Sequence, residues 1–284
     1  MISNVHSLET IKQIQTQKLR HEIDNNMINT LQPPNLQKQK LKREVDQKLR
    51  MYYPLKATYD SVIPLNIFQT WHTKTVSPKM HRCIELIKHF NPTFKYELFD
   101  DADCRKFIYT NFPIEVLNTF DNLLPGAYKA DLWRYCILYK KGGIYLDIKY
   151  KPNNGFQFIT MTEKEHWVLD ADGNGVYNAL IVSKPGNEIL LKAINAIVSN
   201  VESKYYGTSS LEPTGPKLLA KLFTKSEKQS FDMRHTFYLS HENRVILFNG
   251  YIIFKSYNGY ITEHDQYKKV PHYSILWSNR KVYR

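Results

Sequence analysis

Apolar residues are sparse and irregular up to about residue 55 and regular beyond it. In the first part, Leu19 and Ile23 stand among Gln, Asn and Lys residues at the spacing of a weak amphipathic helix, and Pro33 interrupts the pattern. Such polarity is typical of a solvated helical arm or a disordered segment. We therefore expect a polar extension over residues 1–55, followed by one globular domain over residues 56–284.

The first half of the domain alternates short β-rich runs with amphipathic helical runs. Strands are predicted in IPLNIFQTW and FKYELFDD, and helices in PKMHRCIELIKHF and DADCRKFIYTNF. Ser77 is a suitable N-cap for the first helix, with Pro78 at its first position. Strands and helices that alternate through short connections predict an α/β fold, with a mixed, mostly parallel sheet flanked by helices.

The stretch PGAYKADLWRYCILYKKGGIYLD predicts a helix, a tight turn and a buried strand. Pro125 opens the helix, and Lys140 and Lys141 suit its C-terminus because positive charge is favourable there. The two glycines that follow supply the C-cap and the turn. The apolar run then delivers Asp147 to the carboxyl end of a strand, where open α/β sheets bind their ligands.

The second half of the domain is less regular. Strands are predicted in HWVLDAD, GVYNALIVSK and RVILFNGYIIF, and GNEILLKAINAIVSNVESK reads as an amphipathic helix. No internal repeat appears in the sequence.

Composition narrows the class of protein. A hydrophobic fraction of 42% with 13% aromatic residues argues for a packed core rather than overall disorder. Cys83, Cys104 and Cys136 are widely spaced, which indicates reduced, buried thiols in a reducing compartment. No run reaches about 18 apolar residues and the N-terminus lacks an apolar signal stretch, so we expect a soluble cytoplasmic protein without a signal peptide or transmembrane helix.

The net charge of +12 favours anionic partners. Lysines and arginines form no compact run and no RNA-binding signature, so no specific nucleic-acid partner is expected. The basic surface is instead a candidate for peripheral contact with an acidic membrane. The sequence leaves the oligomeric state open.

A few polar side chains stand where chemistry is expected. Asp131 and Arg134 are three residues apart on the predicted helix and share one face, either as an ordinary ion pair or as an acceptor and donor for a ligand. Asp170 lies in LDADGNG, which is either a turn or a ligand loop. Asn178 in YNALIVSK binds either backbone or a ligand hydroxyl. No Ser-His-Asp, P-loop or GxGxxG pattern appears, which disfavours hydrolase and dinucleotide sites.

The block AYKADLWRYCILYKKGGIYLDIK resembles the central block of the DXD-sugar-binding transferases, glycosyltransferase family 32. The resemblance extends outward through IPLNIFQTWHT, YELFDDADCRKFI, YNALIVSKPGNEILLKAI, TGPKLL and PHYSILW. It implies a GT-A fold, a Rossmann-type sheet that binds a UDP- or GDP-hexose. It also implies retaining transfer of that hexose to a glycan, glycolipid or protein acceptor, as in polysaccharide biosynthesis, with Mn²⁺ or Mg²⁺ on the diphosphate.

The resemblance further implies roles for individual residues. Trp71 matches the aromatic residue that faces the nucleotide base, and Asp131 and Arg134 match the pair that contacts the sugar nucleotide. Asp147 matches the first Asp of the DXD motif, a catalytic and metal-binding position. Other candidate site residues are Asp170 and Asn178 near the transferred sugar, and His272 and Trp277 over the diphosphate, with His272 also a candidate metal ligand. An ordinary core position is the alternative for Trp277.

The second Asp of the motif is replaced by Lys149. In an extended strand Lys149 and Asp147 project to the same side, as a binding site or an ordinary surface pair requires. Three interpretations stay open. In the first, the metal is kept and a further ligand comes from elsewhere, such as Asp170, Asp172 or His272. In the second, the lysine itself carries the positive charge on the diphosphate. In the third, the chain is an inactive relative that binds sugar nucleotides or glycans as an assembly or regulatory subunit.

Overall fold

A computed structural model describes residue 43 and residues 46–238, 240–267 and 270–284. Most of the predicted extension lies outside these residues, and the domain boundary at residue 55 stays a prediction. Residues 46–50 are helical. The carbonyl of Leu49 accepts hydrogen bonds from the side chains of Asn153, at 3.1 Å, and Asn154, at 2.6 Å, so this part of the extension is attached to the globular domain.

The strands form two sheets. In chain order they are β1 (Asn66–Thr70), β2 (Lys95–Phe99), β3 (Gly143–Leu146), β4 (Tyr150–Pro152), β5 (Val168–Leu169), β6 (Leu180–Ser183), β7 (Met233–Tyr238), β8 (Ser240–Phe248) and β9 (Tyr251–Ser256). The first sheet has the order β2-β1-β3-β6. Strand β1 is parallel to both of its neighbours and β6 is antiparallel to β3, so the predicted mixed, mostly parallel sheet is confirmed.

The second sheet has the order β4-β9-β8-β7-β5 and is antiparallel except between β5 and β7. The predicted strand RVILFNGYIIF is a hairpin of β8 and β9. Asn249 and Gly250 at its turn have φ of 47° and 85°, the positive values that a type I′ turn requires. An isolated bridge between His166 and Val182 links the edge of the first sheet to the segment before β5, so the two sheets adjoin.

The helices flank the first sheet and close the domain. They are α1 (Pro78–Phe90), α2 (Asp101–Asn111), α3 (Ile114–Asn122), α4 (Gly126–Lys141), α5 (Glu188–Glu202), α6 (Pro216–Ala220), α7 (Lys225–Gln229), α8 (Tyr260–Tyr267) and α9 (Tyr273–Ser278), with a 3₁₀ turn at Phe158–Met161. As predicted, the hydroxyl of Ser77 caps α1 by accepting the N–H of Met80 at 3.2 Å. Helix α4 follows Pro125 as predicted and is C-capped by Gly142, whose φ is 60°.

Helix α4 is the centre of the largest core cluster. All of its residues from Leu132 to Leu138 are buried, together with Asp131. Charged residues are rarely buried unless they are paired, so Asp131 and Arg134 are exceptional positions in an otherwise apolar surrounding. The three cysteines are buried and free, as the sequence predicts. Among the described helices, none has the length and apolar character needed to cross a membrane.

The last residues of the chain pair with the connection between α3 and α4. The N–H of Leu124 donates to the carbonyl of Val282 at 2.9 Å, and the N–H of Arg284 donates to the carbonyl of Asn122 at 2.9 Å. A bridge between Leu123 and Tyr283 completes this pairing. It anchors the end of the segment that carries α9, whose apolar side chains pack against the main core.

Candidate functional site

Asp131 lies inside the protein with both carboxylate oxygens hydrogen-bonded. The Asn178 side-chain amide donates to Oδ1 at 2.9 Å, and the Thr214 hydroxyl donates to Oδ2 at 2.7 Å. Burial raises the pKa of this carboxyl, while the charge of Arg134 and the Thr214 hydrogen bond oppose the rise. The segment TGP that carries Thr214 packs closely here, because a Cβ on Gly215 would lie 3.3 Å from Oδ2.

Arg134 links two carboxylates. Its Nη2 lies 3.3 Å from Oδ1 of Asp131 and its Nη1 lies 3.4 Å from Oδ1 of Asp147. Nη1 also donates to the carbonyl of Asn178 at 2.7 Å, and the guanidinium lies 4.4 Å from the Tyr145 ring centre. The side chain is only 6% exposed, so these contacts replace nearly all of its hydration. Asp131, Arg134 and Asn178 are therefore one network, as an acceptor and donor pair for a ligand requires.

Asp147 stands just after β3, at the edge predicted for it. Its Oδ1 accepts the hydroxyl of Tyr145 at 2.8 Å, and its Oδ2 accepts the ammonium of Lys149. Burial raises the pKa of Asp147, but the positive charges of Lys149 and Arg134 outweigh that effect and hold the pKa below its usual range. Asp147 to Tyr150 form a turn, with the N–H of Tyr150 on the carbonyl of Asp147 at 3.0 Å, rather than an extended strand. The two side chains nevertheless meet.

Lys149 lies in a cage of tyrosines. Its ammonium is 5.3 Å from the ring centre of Tyr150, 5.6 Å from that of Tyr177 and 5.8 Å from that of Tyr260. The side chain is 12% exposed. Burial lowers the pKa of Lys149, but the charge of Asp147 outweighs burial, so the pKa lies above its usual range and the lysine is charged.

The residues around Asp147 do not fit a divalent cation. Both carboxylate oxygens already accept hydrogen bonds, and the two nearest charges are those of Arg134 and Lys149. Hard cations need several oxygen ligands and are repelled by such neighbours. Over the described part of the chain, no three His, Cys, Asp or Glu side chains form a group that would hold a metal. The Nδ1 of His272 is hydrogen-bonded to the hydroxyl of Ser274 at 2.7 Å, at the start of α9.

Asp170 reaches the tyrosine cage through a histidine that sequence reasoning missed. The Nδ1 of His235 lies 2.9 Å from Oδ1 of Asp170, and the His235 ring stacks on Tyr177 at 3.8 Å with 9° between the planes. The Tyr177 hydroxyl is hydrogen-bonded to that of Tyr150 at 2.8 Å. Asp170 therefore contacts the cage indirectly, through His235 and the Tyr177 ring. No motif marks His235, because it is one inward-facing residue of β7.

The two predicted tryptophans lie at the margins. Trp71 follows β1 and packs in the same cluster as Tyr260, so it adjoins the cage. Trp277 donates its indole N–H to the carbonyl of Tyr206 at 2.7 Å and packs against the main core. A neighbour of Trp277 on α9, Tyr273, lies closer to the site. Burial raises the pKa of Tyr273, the charge of Asp131 adds to the rise, and the charge of Lys149 opposes it.

Residues 77–167, which include Asp131, Arg134 and Asp147, match the family model described as "Glycosyltransferase sugar-binding region containing DXD motif". Over these residues the chain is similar to the DXD glycosyltransferases. The match confirms the resemblance that the central block predicts. Lys149 stands at the motif position where the resemblance implies an Asp.

Curated relatives of the chain carry mannosyltransferase names. It is 28% identical over 173 residues to "Inositol phosphoceramide mannosyltransferase 3" of Schizosaccharomyces pombe, covering 59% of this chain and 47% of the relative. It is 31% identical over 178 residues to "Inositol phosphoceramide mannosyltransferase 2" of the same yeast, covering 60% and 49%. The chain thus spans about half the length of these relatives.

A solved structure titled "PaToxG Glycosyltransferase" is also similar to the chain. It shares 16% sequence identity with a TM-score of 0.46, over 65% of this chain and 74% of that one.

Proposed function

We propose that the chain is a hexosyltransferase, which moves a hexose from a UDP- or GDP-sugar to a hydroxyl of an acceptor. The observation that carries this proposal is the buried network of Asp131, Arg134 and Asp147 inside the family-matched region. Three charged side chains joined in a core cluster are a costly arrangement for folding alone, which favours a ligand-binding role.

The network suits a sugar that carries a phosphate. The carboxylate of Asp131 has free lone pairs beyond those used by Asn178 and Thr214, and these accept hydrogen bonds from sugar hydroxyls. Arg134 orients that carboxylate. In this proposal Trp71, which packs against the same cluster as Tyr260, stacks on the base. Asn178, which binds Asp131, and Asp170, which binds His235, act on the sugar side.

The proposed step is a substitution at the anomeric carbon with retention of configuration. The bond from that carbon to the β-phosphate oxygen breaks and its electron pair leaves with the nucleoside diphosphate. The acceptor hydroxyl oxygen forms the new bond on the same face, and its proton passes to the leaving phosphate. The names of the relatives favour mannose as the hexose and an inositol-containing sphingolipid as the acceptor. The +12 charge supports an anionic membrane as the place where that acceptor is met.

A panel of UDP- and GDP-hexoses, incubated with the full chain and with inositol phosphoceramide vesicles, tests the proposal. Nucleotide release and the mass of the glycosylated lipid are measured. We expect product with at least one donor and its loss in Asp147→Asn, while Asp121→Asn, a change in an exposed ion pair with Arg105, keeps full activity. The absence of both donor binding and product with the whole panel would refute the function.

A catalytically inactive relative that still binds sugar nucleotides is the second candidate. The ammonium of Lys149 on the carboxylate of Asp147 favours it, because the residues do not fit the cation that the family usually employs. The two candidates differ in turnover. A donor that raises the melting temperature without releasing nucleotide under any metal condition indicates the binding subunit.

A further inference from the structure

We propose that Lys149 and Arg244 together stand in for a divalent cation and bind the diphosphate of the donor. The inference rests on the proposed function and adds to it a binding residue, Arg244, from the second sheet. It makes donor binding independent of metal.

Lys149 is prepared for a phosphate oxygen. Asp147 accepts one of the three N–H donors of its ammonium, and the rings of Tyr150, Tyr177 and Tyr260 surround the charge without hydrogen-bonding to it. Donors therefore remain for a ligand. With 12% exposure, the ammonium interacts with a phosphate in a poorly hydrated place, where charge attraction is stronger than at the surface.

Arg244 lies on the same face of the second sheet as the cage. It pairs with Phe237 of β7, and its N–H donates to the hydroxyl of Ser256 at 3.0 Å. Ser256 in turn pairs with Tyr150 of β4. Directly opposed residues of neighbouring strands project to one face, so the side chains of Arg244 and Tyr150 both face the site.

The charge of Arg244 acts on the tyrosines of the site. Burial raises the pKa of Tyr260 to about 12, and the charges of Lys149 and Arg244 both oppose that rise. Arg244 likewise opposes the rise in the pKa of Tyr273, which burial causes first. Both cations therefore face the space that Tyr260 and Tyr273 border.

The Arg244 guanidinium is not neutralised by a carboxylate partner among the residues that the structure describes. Over this part of the chain, the guanidinium lies 6.0 Å from the ring centre of Phe237 and forms no ion pair.

Two fixed cations also meet the chemical need of the reaction. Negative charge grows on the diphosphate as the anomeric bond breaks, and positive groups already in place stabilise it without rearranging. A guanidinium binds two phosphate oxygens at once, while an ammonium acts as a point charge. Neither group has to gain or lose a proton.

Isothermal titration with UDP and GDP, in EDTA and in Mn²⁺, tests the inference on the full chain. We expect equal affinity in both buffers. Lys149→Met and Arg244→Gln should each weaken the binding of the preferred diphosphate by about tenfold or more, while the weak binding of the matching nucleoside is unchanged. The matched controls are Lys164→Met and Arg105→Gln, which alter exposed ion pairs and should change affinity less than about twofold.

A converse variant keeps the test decisive if Lys149→Met folds poorly. Lys149→Asp restores a carboxylate two residues after Asp147 and should make diphosphate binding depend on Mn²⁺. Circular dichroism and melting temperature confirm that each variant is folded.

The titrations distinguish failure of the cation replacement from failure of the proposed glycosyl transfer. Wild-type binding that EDTA abolishes and Mn²⁺ restores would overturn the cation replacement while leaving nucleotide-sugar transfer intact. Wild-type affinity in Arg244→Gln would remove Arg244 from the site. If no nucleoside diphosphate binds in either buffer, the proposed function falls as well.

Discussion

The site has two halves that are held in different ways. The carboxylate half is the network of Asp131, Arg134, Asp147, Asn178 and Thr214, in which the charged and amide groups have partners at 2.7 to 3.4 Å. The cationic half is Lys149, Arg244 and the cage rings Tyr150, Tyr177 and Tyr260, where contacts of 5.3 to 5.8 Å between charge and ring prevail.

This difference predicts different sensitivities. Hydrogen bonds between buried charges are directional, and the loss of one partner leaves another buried group unsatisfied. Contacts between a cation and aromatic rings tolerate small shifts, because the attraction varies slowly with position. We therefore expect changes in the carboxylate half to alter folding as well as ligand binding, and changes in the cationic half to alter mainly ligand binding.

The strongest test of the comparison is Asp131→Ala. It leaves Arg134 buried without its closest carboxylate, so the free energy of unfolding should fall by about 3 to 5 kcal/mol in urea titrations. Asp121→Ala removes an exposed pair with Arg105 and should cost less than about 1 kcal/mol. Similar losses for the two variants would show that burial does not distinguish the carboxylate half.

The carboxylate half is also the part that the sequence predicts best. Asp131 and Arg134 share a helix face by their spacing, and Asp147 follows an apolar run that ends at the ligand edge of the sheet. Helix α4, its caps and the parallel strands follow from the same local patterns. These features depend on neighbours within a few residues, which a sequence displays directly.

Apart from Lys149, which the motif marks, the cationic half escapes such reasoning because its members are distant in sequence. Arg244 and His235 come from adjacent antiparallel strands, and their sides of the sheet depend on a register that one residue of slip would reverse. The turn at Asp147 likewise replaces the expected extended conformation. Neither the register nor the turn leaves a pattern that separates a ligand-facing arginine from a surface one.

The next largest effect is expected for Thr214→Val. This near-isosteric change removes the hydroxyl that donates to Asp131, so the free energy of unfolding should fall by about 1 to 3 kcal/mol. Thr110→Val, at an exposed helical position, serves as the control and should lie within about 0.5 kcal/mol of wild type. Equal unfolding midpoints for Thr214→Val and wild type would mean that Asp131 obtains its second hydrogen bond elsewhere.

A smaller loss of stability is expected for Asp170→Asn, which tests the contact of Asp170 with His235. The amide oxygen still accepts one hydrogen bond, but the charge that faces His235 is lost, and unfolding should become easier by about 1 to 2 kcal/mol. Nucleotide affinity should change far less than in Lys149→Met, because Asp170 acts through His235 and Tyr177. If the binding free energy of the nucleotide falls by more than the free energy of unfolding does, Asp170 contacts the ligand directly.

The smallest effect depends on pH. The pKa of Glu212 is lowered to about 2, mainly by the hydrogen bond from Thr208 and also by those from Lys221 and Tyr205. These hydrogen bonds stabilise the loop that leads to Thr214. Since the unfolded carboxyl titrates near 4.3, this contribution is full at neutral pH and is lost as pH falls from about 4.3 towards 2.

Glu212→Gln should therefore be less stable than wild type by about 1 kcal/mol at pH 7, and the gap should shrink at pH 4 and below in urea titrations. A gap of constant size from pH 7 to pH 3 would show that Glu212 titrates alike in the folded and unfolded chains.

The pairing of the last residues with the α3–α4 connection supplies a way to follow ligand occupancy at a distance. The amides of Leu124 and Arg284 donate across this pairing, and the segment that it anchors carries Tyr273 to the site. A ligand that holds Tyr273 in place suppresses local opening of the whole segment. Deuterium uptake at Leu124 and Arg284 should thus slow when a nucleoside diphosphate binds, which makes two backbone amides outside the site reporters of its state.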